Sequence, residues 1–379
     1  MRRDKNMDKK QEIQDEVQLI QDLFDGIDNG DFNNFGETSD KYTFKYLKAI
    51  WDLQTVLDGG KELYKQIYEI AIKCGIRHVQ QKYKTGRKIK VAFLTISAAE
   101  WPAESVYRLL KMNENVEAYL VVGPLIDRSV ENMEDAFEKT ASFFEKRGYD
   151  VRRAYDSKNK KVRLWEEIGK PDIVIHLTHW YKSLPEEYQI ENYPFTILNC
   201  YIPYAMSLAD NAKGTFMINS SNNSMFLNMM WHIYTDTMYH YEGYREYQLL
   251  GGENVVFTGF PKMDFFYNKI ENTSDQLMLM ANWKYPTGCD PKNMKKVIIA
   301  PHHTFLGYGG ILYSTFQWNM YFWIYLAKKY ENQISFIFKP HPNLRTRAIE
   351  AEVFRDAGDY ERYIDLWEKL PNARVSAEE

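Results

Sequence analysis

A chain of 379 residues is too long for one hydrophobic core, so two domains and an appendage are expected. A net charge of -4 gives no global pull toward nucleic acid, and three scattered cysteines (Cys74, Cys200, Cys289) make neither a disulfide framework nor a CxxC metal pattern. They fit a reducing compartment, no apolar run reaches the roughly 18 residues that span a bilayer, and the charged start MRRDKNMDKKQ is no secretory signal.

The expected location is therefore cytoplasmic, with peripheral contact at the inner face of the cell membrane as the membrane alternative. Residues 1–86 read as a separate helical region. Ile13, Val17, Ile20 and Leu23 recur at helical spacing, a Gly/Asp/Asn-rich break covers Asp25 to Asp40, and amphipathic stretches follow at Tyr42–Leu57 and Lys61–Gln81. A helical cap or a dimerisation arm is the expected role. The basic stretch Lys82–Lys90 carries five cations but no apolar anchor, a weak lipid signal.

Strand–helix alternation begins at Lys88. Strands are predicted at Ile89–Ile96, Val116–Val122, Tyr149–Ala154, Asp172–Leu177, Phe195–Asn199 and Val255–Thr258, with helices at Ser105–Met112 and Ser129–Arg147. Phe216–Tyr239 reads as a long, mixed helical stretch, and Glu271–Lys292 as a linker. A second α/β unit follows: strand Lys295–Ala300, helix Asn319–Tyr330, strand Ile334–Phe338, one more helical stretch and a strand at Ala373–Ser376. Such βα alternation implies doubly wound parallel sheets. The second unit is short and reads as incomplete.

The most informative segment is Ile334–Arg345, ISFIFKPHPNLR. A buried strand ends in a turn stiffened by two prolines, where Lys339, His341, Asn343 and Arg345 offer donors. Ligands of open α/β sheets gather beyond the carboxyl ends of strands, so this turn is a candidate phosphate site. The preceding strand leaves through Ala300-Pro301-His302-His303-Thr304, and parallel pairing would bring both loops, with His302, His303 and Thr304, to one pocket. Zinc is the competing ligand, but adjacent histidines diverge and no acidic or cysteine ligand lies near in sequence, so no metal is expected. Gly307–Gly310 would let backbone N–H groups approach a phosphate, or is a plain loop.

In the first unit, Ser97, Glu100 and Trp101 follow strand one, where an acceptor or a base would sit. Glu100 is a candidate base or an early-helix acid. His176 lies in an apolar run and reads as a core residue, whereas His179 is nearer the rim and is a candidate catalytic group. Tyr201, Tyr204 and Asp210 follow the strand that ends at Asn199. Gly259–Asp264 reads as a rigid turn.

NVVFTGFPKMD (Asn254–Asp264), KKVIIAPHHT (Lys295–Thr304) and FIFKPHPNLR (Phe336–Arg345), in this order, resemble the CDP-glycerol glycerophosphotransferase family of teichoic-acid-type polymer synthesis. The resemblance covers roughly residues 88 to 379. It implies an α/β, GT-B-like fold of two Rossmann-like domains facing across a cleft: 87–270 on the acceptor side, a linker at 271–292, and a partial donor-nucleotide domain at 293–379.

The implied reaction moves a glycerol-phosphate group from a CDP-activated donor to a hydroxyl acceptor, such as a lipid-linked glycan or polymer, with no cofactor beyond the donor itself. Carried over residue by residue, His341 and its loop look like the donor-phosphate site and His302/His303 its neighbouring wall. Glu100, His179 and His303 are the candidate catalytic groups, and Ser97, Trp101, Tyr201 and Tyr204 the acceptor side. A GT-B glycosyltransferase, a sugar-nucleotide epimerase and an inactive nucleotide-binding scaffold are the alternatives; pairing of chains through the N-terminal helices is the expected oligomer. Two departures stand out: NCYIPYAMSLAD (Asn199–Asp210) lacks the family's histidine–glycine element, and its Asp-Ser-Ser donor segment is absent.

Overall fold

Alternate residues of Ile89–Thr95 face opposite cores, and that period of two organises the first part of the molecule. In this computed structural model the described residues are 41–55, 59–127, 129–205, 221–267, 280–305 and 312–376, with a few positions between 15 and 25. The chain divides into two units, Met1–Tyr267 and Asn268–Glu379.

The first unit opens with α1 (Lys45–Leu53) and α2 (Gly60–Lys84). Then come β1 (Ile89–Thr95), α3 (Glu104–Met112), β2 (Val116–Val122), α4 (Val130–Lys146) and β3 (Val151–Arg153). A small antiparallel pair, β4 (Tyr155–Asp156) and β5 (Lys161–Val162), precedes β6 (Ile173–His176) and β7 (Leu198–Tyr201). β8 (His232–Thr235), α5 (Met238–Tyr247) and β9 (Val255–Phe257) follow.

Seven strands pair in parallel in the order β3-β2-β1-β6-β7-β8-β9. The chain builds outward from β1 to β3 and then restarts on the other side at β6, so the topological switch lies between β1 and β6. Ala92 and Leu94 of β1 join one core with Tyr64, Ile67 and Ala71 of α2. Val91 and Phe93 face the other, with Tyr107 of α3 and Phe137 and Phe144 of α4. α4 follows its sequence signals: Ser129 caps it by accepting from the Asn132 N–H at 3.4 Å, and Lys146 stands in its last turn.

Two sequence expectations change here. The described part of residues 1–86 is not a separate arm. Tyr64, Tyr68 and Cys74 of α2 are buried in the core of the first unit, and the Tyr68 hydroxyl donates to the Met230 carbonyl at 2.7 Å. Gly75 lets α2 approach β7, since a Cβ there would lie 2.5 Å from a Leu198 methyl. Of the two roles expected for this region, α2 fills that of a helical cap on its own sheet.

Phe216–Tyr239 is not one helix either. Its described part, from residue 221, holds the strand β8, whose alternate residues Ile233 and Thr235 are buried. Residues 206–220, including Asp210, lie outside the described residues, as do most of residues 1–40 and the loop Gly307–Gly310.

The second unit contains β10 (Lys295–Ile299), α6 (Phe316–Lys329), β11 (Ile334–Phe338), α7 (Leu344–Glu350), α8 (Ala357–Glu368) and β12 (Ala373–Val375). Its three strands are parallel, in the order β10-β11-β12. Phe316, Met320 and Ile324 of α6 and Tyr363 and Trp367 of α8 pack on Phe336 and Phe338, with Phe338 stacked on Trp367 at 5.1 Å.

Sequence reading expected one helix after Arg345. There are two, because Asp356 starts a new one by accepting from the Asp359 N–H at 2.8 Å. The described end of the expected linker belongs to this unit: the Ser335 hydroxyl of β11 donates to the Lys284 carbonyl at 2.8 Å.

Candidate functional site

β10 and β11 run in register, Ile299 opposite Phe338, so the loops that leave them start side by side. The Lys339 N–H donates to the Ile299 carbonyl at 2.8 Å and the His341 N–H to that of Pro301 at 3.4 Å, carrying the pairing past the strand ends. His302, His303 and His341 therefore converge. Their ring centroids are 4.2 Å (302–303), 4.1 Å (303–341) and 5.2 Å (302–341) apart. One nitrogen from each ring lies within 4.8 Å of the others. The convergence expected from the two loops is present, and the adjacent His302 and His303 do not diverge as the sequence suggests, because both rings turn toward His341.

Three imidazoles so close disfavour one another's charge. Burial, then His341, His302 and Arg347, push His303 down to about 4, so it is neutral at pH 7. Burial also lowers His302, and burial with the neighbouring His302 lowers His341. His303 Nδ1 is buried with no hydrogen-bond partner among the described residues. A buried polar atom left without a partner is costly, and a ligand atom would relieve it.

Such a trio can hold a cation or an anion, and the surrounding hydrogen bonds discriminate. The Asn343 backbone N–H donates to His341 Nδ1 at 3.1 Å. That nitrogen accepts, so the ring proton of neutral His341 sits on Nε2, which is then a donor. A metal on Nε2 would move the proton to Nδ1, facing another N–H. Metal-bound histidines instead donate their second nitrogen to an acceptor. His302 Nδ1 lies 3.2 Å from Thr304 Oγ1, which already accepts from the Tyr313 N–H at 2.9 Å, leaving the hydroxyl proton available to the ring. Among the described residues this is the one His/Cys/Asp/Glu group with metal-like spacing, but its hydrogen bonding suits an anion better.

The remaining predicted donors divide. Thr304 orients His302, and Asn343 acts through its main chain. The exposed Lys339 ammonium makes no ion pair among the described residues. Arg345 does not join the trio: its Nε pairs with Glu361 of α8 at 3.3 Å. Arg347, which sequence reading passed over, is the arginine whose charge reaches His303.

The first unit has its own polar cluster at the carboxyl ends of β1, β6, β7 and β8, centred on Tyr201. His179 Nδ1 lies 3.4 Å from the Tyr201 hydroxyl. Burial, then Tyr244, Tyr204, Glu100 and Asp236, hold the hydroxyl proton in place well above the ordinary phenol range. His179 thus stands beside Tyr201, and the charges of Glu100 and Tyr204 reach its hydroxyl.

Ser97 caps its own turn, accepting from the Ala99 N–H at 3.2 Å. Trp101 does not line this cluster. Its indole N–H donates to Glu104 at 2.9 Å, and its ring packs edge-on against Phe93, Tyr107, Phe144 and Tyr149. His176 is the expected core histidine, 3.1 Å from Asn199 Oδ1 and pushed down to about 4 by burial. Sequence reasoning missed Asp236 and His240, joined at 2.8 Å between Oδ1 and Nδ1 just beyond β8. The available signal was Thr237, which caps α5 by accepting from the His240 N–H.

The chain matches no protein-family model and no curated protein sequence. Among solved structures it is similar to a variant of the wall teichoic acid polymerase TagF, with 10% identity, 81% of this chain and 71% of that one covered, and a TM-score of 0.42. It is also similar to UDP-N-acetylglucosamine 2-epimerase from Rickettsia bellii, at 15% identity, 76% and 69% coverage and a TM-score of 0.38. A third is S. aureus MnaA with UDP, at 13% identity, 69% and 65% coverage and a TM-score of 0.34. The chain spans about two thirds of the length of these structures.

Proposed function

We propose that this protein is a transferase that moves a glycerol-phosphate or related group from a CDP-activated donor to a hydroxyl acceptor in cell-surface polymer synthesis. The second unit would bind the donor diphosphate at His302, His303 and His341. The observation that carries this reading is the convergence of three imidazoles beside a buried Nδ1 with no partner among the described residues, with His341 fixed as an Nε2–H donor.

In the proposed reaction the acceptor oxygen attacks the β-phosphorus. The bond from that phosphorus to the bridging oxygen breaks, CMP leaves with the electron pair, and the acceptor proton passes to a side-chain base. Glu100, His179 and His303 are the candidates. His341 and Lys339 would steady the charge gathering on the departing nucleotide, with no metal needed for that role.

Calorimetric titration with CDP-glycerol, followed by CMP release in the presence of a polyol-phosphate acceptor, tests the reading. Binding together with CMP release, undiminished by chelator, is expected. Tight binding of UDP-N-acetylglucosamine with no response to CDP-glycerol would replace the donor assignment by a sugar-nucleotide one.

A further inference from the structure

α6 is apolar on both faces. Phe316, Met320, Ile324 and Ala327 are buried against the sheet of the second unit. On the outer side Trp318 is 60% exposed, Tyr321 58%, Phe322 52% and Tyr325 55%. These four recur at the i, i+3, i+4, i+7 spacing of one helical stripe. A solvent-facing helix ordinarily shows polar residues there, and exposed apolar residues gathered in one patch mark an interaction surface. Leu312 and Tyr313, just before the helix, are exposed as well.

The chemistry of the stripe selects its partner. It is built of aromatic rings, three of them amphipathic Trp or Tyr, the side chains that settle at the headgroup level of a bilayer. Phe316–Lys329 contains no Asp or Glu, and its last turn ends in exposed Lys328 and Lys329. The Lys329 ammonium lies over the Tyr325 and Tyr330 rings at 5.8 and 5.5 Å, which sets a cation directly against the end of the aromatic stripe. An aromatic helix face that carries no carboxylate of its own and ends in two lysines is complementary to an anionic lipid surface. No helix among the described residues is long and apolar enough to cross a membrane, so α6 would lie on the bilayer, along roughly 20 Å of its surface.

We propose that the outer face of α6 docks this protein onto anionic membranes, with Trp318, Tyr321, Phe322 and Tyr325 in the headgroup layer and Lys328 and Lys329 on lipid phosphates. Tyr313 packs edge-on against His302 at 5.5 Å, so the chain leading into this face borders the histidine trio. Docking would hold that pocket close to the headgroups. The proposal stands on the helix alone, and it survives if the donor assignment fails.

Sedimentation of the full chain with phosphatidylcholine vesicles, and with vesicles of equal parts phosphatidylcholine and phosphatidylglycerol, tests it. The protein should pellet with the anionic vesicles and be released by high salt. Trp318→Gln with Phe322→Gln should lower the partition coefficient at least about tenfold. Lys328→Gln with Lys329→Gln should lower it about fivefold per lysine, on anionic vesicles only. All four positions are exposed, so the variants should keep the parent melting curve; if the aromatic pair does not, the lysine pair and the salt dependence decide. A protein that stays in the supernatant, or variants that bind equally well, would overturn the proposal. So would a vesicle-free dimer that Trp318→Gln with Phe322→Gln turns into monomer, which would give the face to a second copy of the chain.

Discussion

Asp172, at the amino end of β6, is surrounded by its counter-charges, whereas His302, His303 and His341, at the carboxyl ends of β10 and β11, are surrounded by one another. The Asp172 carboxylate is buried and accepts from the Lys90 N–H at 2.8 Å, Lys82 Nζ at 2.6 Å and, at 3.0 Å, His78 Nε2. Burial alone would raise its pKa, but these three partners bring it below the ordinary carboxylate value. In the histidine trio every charge effect points the other way, and each ring is held toward neutrality. A cluster complete within the chain holds the fold together. One whose members disfavour each other's charge is suited to a ligand that brings the missing sign.

The sharpest way to break this contrast is to remove one member of each cluster. Asp172→Ala leaves Lys82 and His78 without their acceptor and the edge of β1 without its tie, and should cost about 3 kcal/mol of stability in urea unfolding. Donor affinity of the folded protein should not move. His341→Ala should do the reverse. Losing a charge-assisted donor worth about 1.5–3 kcal/mol weakens CDP-glycerol binding about 10- to 100-fold, with little change in the urea midpoint. If His341→Ala destabilises the protein and leaves titration with the donor unchanged, the trio is structural and the contrast fails.

Acid should sharpen it further. His303 is depressed from the ordinary histidine value to about 4, and His302 and His341 are shifted the same way. Between that ordinary value and about 4 the unfolded chain binds more protons than the folded one, so these groups make stability fall as pH falls through the window. A bound diphosphate favours the protonated rings and raises their pKa, so binding takes up protons. The melting shift produced by the donor should therefore be larger at about pH 5.5 than at about pH 7.5. A shift that shrinks on acidification would mean that the anion does not meet these rings.

Much of the histidine pocket is legible in the sequence because both loops are anchored by short-range features. Ile334–Phe338 and residues 297–300 are largely apolar runs that end in Pro-His elements, and parallel register does the rest. The β1 and β2 strands are legible for the same reason. β8 is not: its four residues sit among Met, Phe and Tyr side chains that satisfy helical and strand spacing alike. Hidden with it was the Asp236–His240 pair, since only the strand end brings these residues toward Tyr201. The place of α2 was equally hidden, because an amphipathic helix does not say which sheet it will cover.

Arg345 is the case where proximity in sequence misleads, and it supplies the smallest expected effect. Read along the chain, it is a second cation following Lys339, suited to a diphosphate. In the fold its Nε faces Glu361 of α8 at 3.3 Å, and both side chains are about half exposed. An exposed pair of this kind contributes at most about 1 kcal/mol, and salt screens it. Arg345→Ala should therefore change stability by less than about 1 kcal/mol and donor affinity by less than about threefold. Arg347 is the useful contrast, because its charge reaches His303. Removing it relieves one of the like charges on that ring, so Arg347→Ala should shift the histidine titration seen by NMR toward higher pH, and Arg345→Ala should not. If instead Arg345→Ala abolishes donor binding, the Glu361 pair opens on binding and the arginine turns to the phosphates. The trio would then be one part of a larger site rather than its centre.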